Sequence, residues 1–288
     1  MSGPTTADHL CVIDGSNMLH RAWAMGRPRA RTADGLEVGA SWLFSQMLVK
    51  LLRRMDAGHA SPTHVAIFFD PPREDSWRRE VSADYKAHRD AMDPALRAQI
   101  PIMIEACRAI GLASATAPRH EADDMIAAYA EDAAAAGARV SIISSDKDLM
   151  QLVRPGVMQM NAASDTWFNE AAVEKKFGVP PSLVGDFLAL AGDSSDGVPG
   201  APGIGPKSAS ALLCKFGSLG GLLGRAEQIE RASWRRIICE NKEQIRMSRM
   251  LVALDVDGAP RSLSWDEVRT PRPGFAGRAQ QWREDALS

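Results

Sequence analysis

The sequence predicts an α/β fold, a parallel-sheet domain over residues 1–180 followed by a helical unit over 181–270. Three observations predict it. Short apolar runs of β character alternate with helical patterns through the first half, which is the signature of strand–helix–strand units. From about Asn169 onward helical periodicity alone remains. Three of the runs also end on or just before an aspartate: Ile13 before Asp14, Phe69 before Asp70, and Ser144–Ser145 before Asp146. Strands of an open parallel sheet deliver ligand-binding side chains at their carboxyl ends in this way.

Taken in order, Leu10–Ile13 reads as a buried strand that meets a turn at Asp14–Gly15. The following segment, to Thr32, carries Arg21, Arg27, Arg29 and Arg31 with almost no acid. Val38 to Met55 has helical apolar spacing through Leu43, Met47 and Leu51. His64–Phe69 is the second strand, closed by Asp70 and Pro71–Pro72. Asp75 to Arg89 is dense in charge, with Trp77 and Tyr85 interleaved, and Asp93–Pro94 opens a helix that runs to about Ile110 and stops at Gly111. Glu121 to Ala136 is an Ala-rich helix ended by Gly137. Arg139–Ser144 gives the third strand, a short helix follows to Leu152, and Val157–Met160 is a candidate fourth strand. The tail 271–288 is polar and reads as a surface segment.

Totals narrow the function classes. The chain of 288 residues is 45% hydrophobic and 24% charged, the balance of a soluble globular protein. A formal net charge of −2 leaves local charge to decide about nucleic acid. Cys11, Cys107, Cys214 and Cys239 lie far apart with no CxxC or His-paired spacing, which argues for reduced thiols rather than zinc. With no signal-peptide pattern and no apolar run near the roughly 20 residues that span a bilayer, a cytoplasmic protein without a membrane partner is expected.

The stretch from Leu190 to Leu213, LAGDSSDGVPGAPGIGPKSASALL, concentrates the chemistry. Asp193 and Asp196 form an i, i+3 pair. They join Asp14, Asp70, Glu121, Asp123, Asp124, Asp146 and Asp148, so that nine acids lie at element ends. Singly, each reads first as a helix cap or a solvated charge rather than as a ligand, because acids in a first turn complement the helix dipole. Collected at one sheet edge they would repel one another without cations. Oxygen ligands without His or Cys favour Mg²⁺ or Mn²⁺, and two such ions about 4 Å apart clamp an in-line phosphodiester displacement. An aspartyl-phosphate nucleophile would want a second acid two residues after Asp14, where Ser16 stands. The segment from Gly200 to Ser208 misses the P-loop pattern by one residue, because Pro206 separates Gly205 from Lys207. What remains is a Gly-Ile-Gly turn before a helix with Pro in its first position, which turns free N–H groups and the positive helix end toward an anion. Arg73, Arg78, Arg79, Lys86 and Arg89 with Trp77 and Tyr85 could line a single-strand path.

Six co-linear motifs carry a resemblance: IDGSNMLHRAW, FFDPP, WRREVSADYKAHR, EADDMIA, SSDKDLMQL and GDSSDGVPGAPGIGPKSASALL. The chain resembles the 5′-nuclease superfamily of bacterial 5′–3′ exonucleases, DNA polymerase I 5′-nuclease domains and flap endonucleases over residues 10–255. The resemblance implies a PIN-like α/β domain with a C-terminal helix–three-turn–helix module. It also implies a metal-dependent 5′ nuclease that cuts DNA at 5′ ends, flaps or nicks in replication and repair; RNA–DNA primers are further candidate substrates, and a monomer is expected. By the same resemblance, Asp14, Asp70, Glu121, Asp123 and Asp124 group around a first Mg²⁺, and Asp146, Asp148, Asp193 and Asp196 around a second, with Mn²⁺ as substitute. Lys86 and Arg78 are the expected catalytic cations. Arg21, Tyr85, Arg89, Gly203, Gly205 and Lys207 are the expected DNA contacts, and the hairpin is expected to bind K⁺ through its carbonyls.

Two positions depart from the family pattern: Gly197 replaces the usual Asn after the acid pair, and Ser82 stands where relatives often carry an aromatic. Two rival readings are a DNA-structure-binding protein that has lost catalysis and an RNA-cleaving PIN-type ribonuclease. The complete acid set speaks against the first and the hairpin module against the second.

Overall fold

The computed structural model describes residues 3–26, 31, 35, 37–57 and 61–270. The tail 271–288 and the basic residues Arg27 and Arg29 lie outside the described residues. The sheet has six strands in the order β3-β2-β1-β4-β5-β6. Strands β1 (His9–Asp14), β2 (His64–Phe69), β3 (Ala113–Thr116), β4 (Arg139–Ile143) and β5 (Val157–Asn161) are parallel, and β6 (Thr166–Phe168) returns antiparallel to β5. Both β1 and β2 are buried along their whole length, as strands with covered faces on both sides must be. The antiparallel β6 and the small-residue strand β3 are additions to the expected sheet.

Side-chain alternation sends Cys11, Ile13, Val65, Ile67 and Phe69 to one face and Leu10, Val12, Ala66 and Phe68 to the other. The first face is covered by α1 (Gly15–Ala24), α2 (Gly39–Ala57) and α5 (Gln99–Ala109), the second by α6 (Ala122–Ala135). The helix expected from Pro94 to Ile110 is two pieces, α5 being preceded by the single turn α4 (Pro94–Arg97). The charged connection after β2 holds one further short helix, α3 (Arg78–Val81).

Beyond β6 come α7 (Glu170–Phe177), α8 (Val184–Ala191), α9 (Pro206–Phe216), α10 (Leu219–Gly224), α11 (Ala232–Glu240) and α12 (Lys242–Leu251). They enclose their own core of Val184, Leu188, Leu190, Leu212, Leu213, Ile238 and Ile245. Tyr85, Met150 and Val153 from the first half join that core, so the two halves are knitted together beneath the site. The last helix among the described residues ends at Leu251. Residues 253–270 turn back onto the α6 face of the sheet, where Ala259 and Val268 are buried, and Trp265 stacks on His64 with ring centroids 4.1 Å apart. Val65 N–H donates to Val268 O and Thr270 N–H to Thr63 O, at 2.7 and 2.8 Å. This segment carries no helix or strand pattern of its own, and only its tertiary partners fix it.

Candidate active site

The acids converge because the sheet aligns them. Asp14 ends β1 and caps α1, accepting from Asn17 N–H at 2.8 Å, while its other oxygen accepts from Ser144 Oγ at 2.7 Å. Asp70, just past β2, accepts from Ala122 N–H at 2.8 Å and so ties the start of α6 to the site. Asp146 N–H donates to Ser144 Oγ, and Asp146 accepts from Asp148 N–H at 2.9 Å. Burial and the neighbouring Asp70 push the Asp14 carboxyl up to about 7. Burial and Glu121 raise Asp70. Burial, Asp146 and Asp14 hold Asp123 well above the carboxylate range. Asp14, Asp70, Asp123 and Asp146 therefore form one mutually repelling group.

A second group is tighter. Asp148, Asp193 and Asp196 each bring a carboxylate oxygen within 4.8 Å of the others, and all three are buried. Asp148 Oδ1 is buried with no hydrogen-bond partner among the described residues, and burial together with Asp146 pushes its carboxyl up to about 8. Asp193 would also be raised by burial, but hydrogen bonds from Lys147 and Ser195 outweigh that and hold it below its ordinary value. An all-oxygen set with an orphaned buried acceptor and several carboxyls too crowded to ionise together fits hard divalent cations.

Two of the nine acids, Asp124 and Glu121, are paired with protein cations at the start of α6. Asp124 is fully buried and accepts from Arg78 Nη1 and Nη2 at 2.8 and 2.7 Å, from Trp77 Nε1 at 3.2 Å, and from the N–H groups of Glu121 and Asp255 at 3.2 and 2.9 Å. Its two oxygens have no room left for an ion. Arg78, 3% exposed, also donates to the carbonyls of Leu251 and Ala253 at 2.9 and 2.5 Å. Its guanidinium is thus consumed by structural partners, and neither the metal-ligand expectation for Asp124 nor the catalytic expectation for Arg78 fits this geometry. Glu121 accepts from Lys86 Nζ at 2.7 Å and Tyr85 Oη at 3.1 Å. Burial would raise Glu121, but Lys86 and Arg78 bring it down to about 2.

Lys86 sits between the halves of the cleft, its Nζ 3.5 Å from Asp196. Its φ of 52° is uncommon for a side-chain-bearing residue, and it is held by Lys86 N–H donating to Asp196 O at 2.8 Å and Arg73 Nη1 donating to Lys86 O at 3.0 Å. Tyr85 Oη reaches Asp196 at 3.3 Å, and Arg89 pairs with the same carboxylate. Arg21 lines a small pocket with Asp14, Asn17 and Ser144. Gly197, at φ 73°, presses against the 84–86 turn: a Cβ there would lie 2.9 Å from Asp84 O. The position requires glycine-like backbone freedom. Ser82 ends α3 and accepts from Asp84 N–H at 3.3 Å.

The hairpin departs from the acid pair at once. Asp193 and Val198 exchange backbone hydrogen bonds of 2.9 and 2.8 Å, and Ala201 N–H donates to Leu190 O. Gly200 has φ 64°, and a Cβ there would fall on the Gly192 backbone. Gly203, Gly205 and Lys207 are exposed at the mouth of α9, which Gly205 caps and Pro206 begins. The N–H groups of these three residues donate to no carbonyl among the described residues. Lys147, Ser144 and Ser195 were not singled out by the sequence, although the Asp-Lys-Asp spacing at 146–148 was visible.

Carboxylates at the strand ends of a parallel sheet, beside an exposed hairpin that opens a helix, form a site suited to divalent-ion-assisted chemistry on a phosphate. The chain belongs to the 5′–3′ exonuclease family: residues 9–178 match the 5′–3′ exonuclease N-terminal resolvase-like domain and residues 179–274 the 5′–3′ exonuclease C-terminal SAM fold. It is 35% identical over 275 residues to a 5′–3′ exonuclease of Aquifex aeolicus, covering 96% of this chain and 91% of that one. It is 34% identical to the flap endonuclease Xni of Serratia proteamaculans, over 86% of this chain and 93% of the relative. A DNA polymerase I of Rhizobium leguminosarum is 44% identical over 91% of this chain, which spans only 26% of that polymerase. Among solved structures, the T5 D15 protein co-crystallised with metal ions matches with a TM-score of 0.73 at 17% identity, over 97% of this chain and 98% of the other. A T5 D15 flap endonuclease complex with DNA and metal ions matches with a TM-score of 0.69 at 18% identity, over the same shares. At these identities the structural likeness is one of fold.

Proposed function

We propose that this chain hydrolyses DNA phosphodiesters at 5′ ends, flaps and nicks with the help of two divalent ions, Mg²⁺ by preference and Mn²⁺ as substitute. The observation that carries the reading is the Asp148–Asp193–Asp196 cluster with its unpartnered Asp148 Oδ1, set one turn from the hairpin. Asp14, Asp70, Asp123 and Asp146 would hold one ion and Asp148, Asp193 and Asp196 the other, with Glu121 and Asp124 orienting the helix that carries Asp123. When bound, such ions lower the pKa of an attacking water and neutralise the leaving oxygen.

The chain's own residues do the rest. Lys86, already suspended between Glu121 and Asp196, can turn its ammonium toward a scissile phosphate without leaving the cleft. Arg89 and Arg21 approach from the rim and fit phosphates on either side. The free N–H groups at Gly203, Gly205 and Lys207 suit a duplex backbone, which gives affinity without sequence preference. K⁺ at the hairpin carbonyls, RNA–DNA primers as substrates, a monomeric state and a cytoplasmic location complete the reading. No helix among the described residues is long and apolar enough to cross a membrane.

The test is cleavage of 5′-labelled flap, nicked and blunt substrates with Mg²⁺ and with EDTA, using Asp70→Asn and Asp196→Asn. Both variants should lose cleavage while keeping most DNA binding. Turnover like that of the parent chain in both would overturn the metal assignment.

A further inference from the structure

Beside Lys86 and Arg89, which face Asp196, the acidic cleft holds a third cation on Asp193. Lys147 Nζ donates to Asp193 Oδ2 at 2.5 Å and to Ser195 Oγ at 3.2 Å, and lies 3.7 Å from Asp148 Oδ1. The Asp193 side chain is 5% exposed, so this is not one of the solvated surface pairs that contribute little. A point charge here lowers the net negative charge offered to a divalent ion and takes up an oxygen of one ligand. It leaves Asp148 Oδ1 without a donor, open to something else. The ammonium rides on a flexible four-carbon stem, and the Lys147 side chain is 32% exposed, which gives it a path out of the cleft.

We propose that Lys147 competes with the divalent ion at the Asp148–Asp193–Asp196 cluster, so that the cluster binds the ion weakly until the ammonium swings off Asp193. The assignment rests on the two-ion reading above and makes Lys147 a positioning residue. A phosphodiester entering the cleft offers the ammonium another anion, so DNA and the second ion bind cooperatively and the cluster fills when substrate is present.

The experiment is Mn²⁺ binding to the full chain without DNA, followed by electron paramagnetic resonance. The sites that Asp193→Asn removes are assigned to this cluster. Lys147→Met should tighten that class at least tenfold, about 1.4 kcal/mol, and Lys147→Gln should do the same should the methionine variant fail to fold. Lys147→Arg should keep the parent affinity, and the gain should vanish in Lys147→Met combined with Asp193→Asn. A general loss of structure cannot produce tighter binding. Unchanged or weaker Mn²⁺ binding in the folded neutral variants, with the class present in the parent chain, overturns the role of Lys147 alone. Absence of the class from both parent and neutral variants overturns the two-ion reading and this assignment with it.

Discussion

Arg78 and Asp124 meet in a doubly hydrogen-bonded pair, 2.7 and 2.8 Å, sealed from solvent at the base of α6. The pair also grips the chain after α12, because Arg78 donates to Leu251 O and Ala253 O while Asp255 N–H donates to Asp124. Arg78 thus fastens the helical half to the sheet. Breaking a buried pair by removing one partner costs about 3–5 kcal/mol. Arg78→Ala and Asp124→Ala should each lower the denaturation midpoint accordingly, with a smaller effect on Mn²⁺ affinity. A variant of Asp124 that keeps its midpoint but loses metal would return Asp124 to the ligand set.

The crowded carboxyls predict a pH dependence with a definite sign. Asp14 at about 7 and Asp148 at about 8 bind protons more tightly in the folded chain than in the unfolded one, where aspartate titrates near 4. Their stabilising contribution is fully present below that value and is lost as pH rises toward 8. Glu121, at about 2, behaves oppositely: its contribution is lost as pH falls below about 4. Metal-free protein should therefore melt at lower temperature at pH 8.5 than at pH 5.5. Mg²⁺ should raise the midpoint more at the higher pH. A midpoint that climbs with pH in EDTA would contradict the arrangement.

Asp148→Asn removes a charge that burial and Asp146 oppose. It should stabilise the metal-free chain at pH 8 while reducing cleavage by about 100-fold or more, the scale of losing one electrostatic contact to the transition state. Thermal melts and single-turnover rates check the two halves separately.

Gly197 joins the acid pair to the hairpin at φ 73°, against Asp84 O. A side chain there adds backbone strain of about 1–3 kcal/mol and pushes the 84–86 turn that carries Lys86. Gly197→Ala should lower both stability and turnover, whereas Asn, which tolerates the left-handed region better, should cost less. Equal stability in all three chains would show that the turn yields freely.

Lys207 stands exposed at the mouth of α9. Lys207→Ala should weaken DNA binding about equally for all sequences and reduce the slope of log affinity against log salt by about one. Metal binding should be untouched.

Much of this was legible in the chain. Ile13–Asp14 and Phe69–Asp70 announce strand ends because an apolar run stops on an acid, and Gly205–Pro206 announces a helix start because glycine and proline have fixed uses there. β3 was not legible: Ala113–Thr116 is small, half-exposed and without alternation. The part of Arg78 was not legible either, since its partners Leu251 and Ala253 lie far along the chain and offer only carbonyls, which any sequence supplies. Asp124 looked like a ligand because the residue type and spacing of a ligand and of a buried ion-pair partner are the same.

The return of residues 253–270 to the sheet bears on how the chain is made. Thr63 and Val65 are paired by Thr270 and Val268, a contact between the early and the final parts of the described chain. Such long-range contacts form late, because loop closure comes before any stabilising gain. During synthesis the sheet domain would emerge with His64 and the Tyr129 hydroxyl of α6 lacking their partners Trp265 and Leu263, and would be completed only after the helical half had left the ribosome. A chain cut at residue 178 would keep every acid of the first group yet lack the Trp265–His64 stack and the carbonyls that hold Arg78. The two halves are separable as sequence families, but as a folding unit they are one.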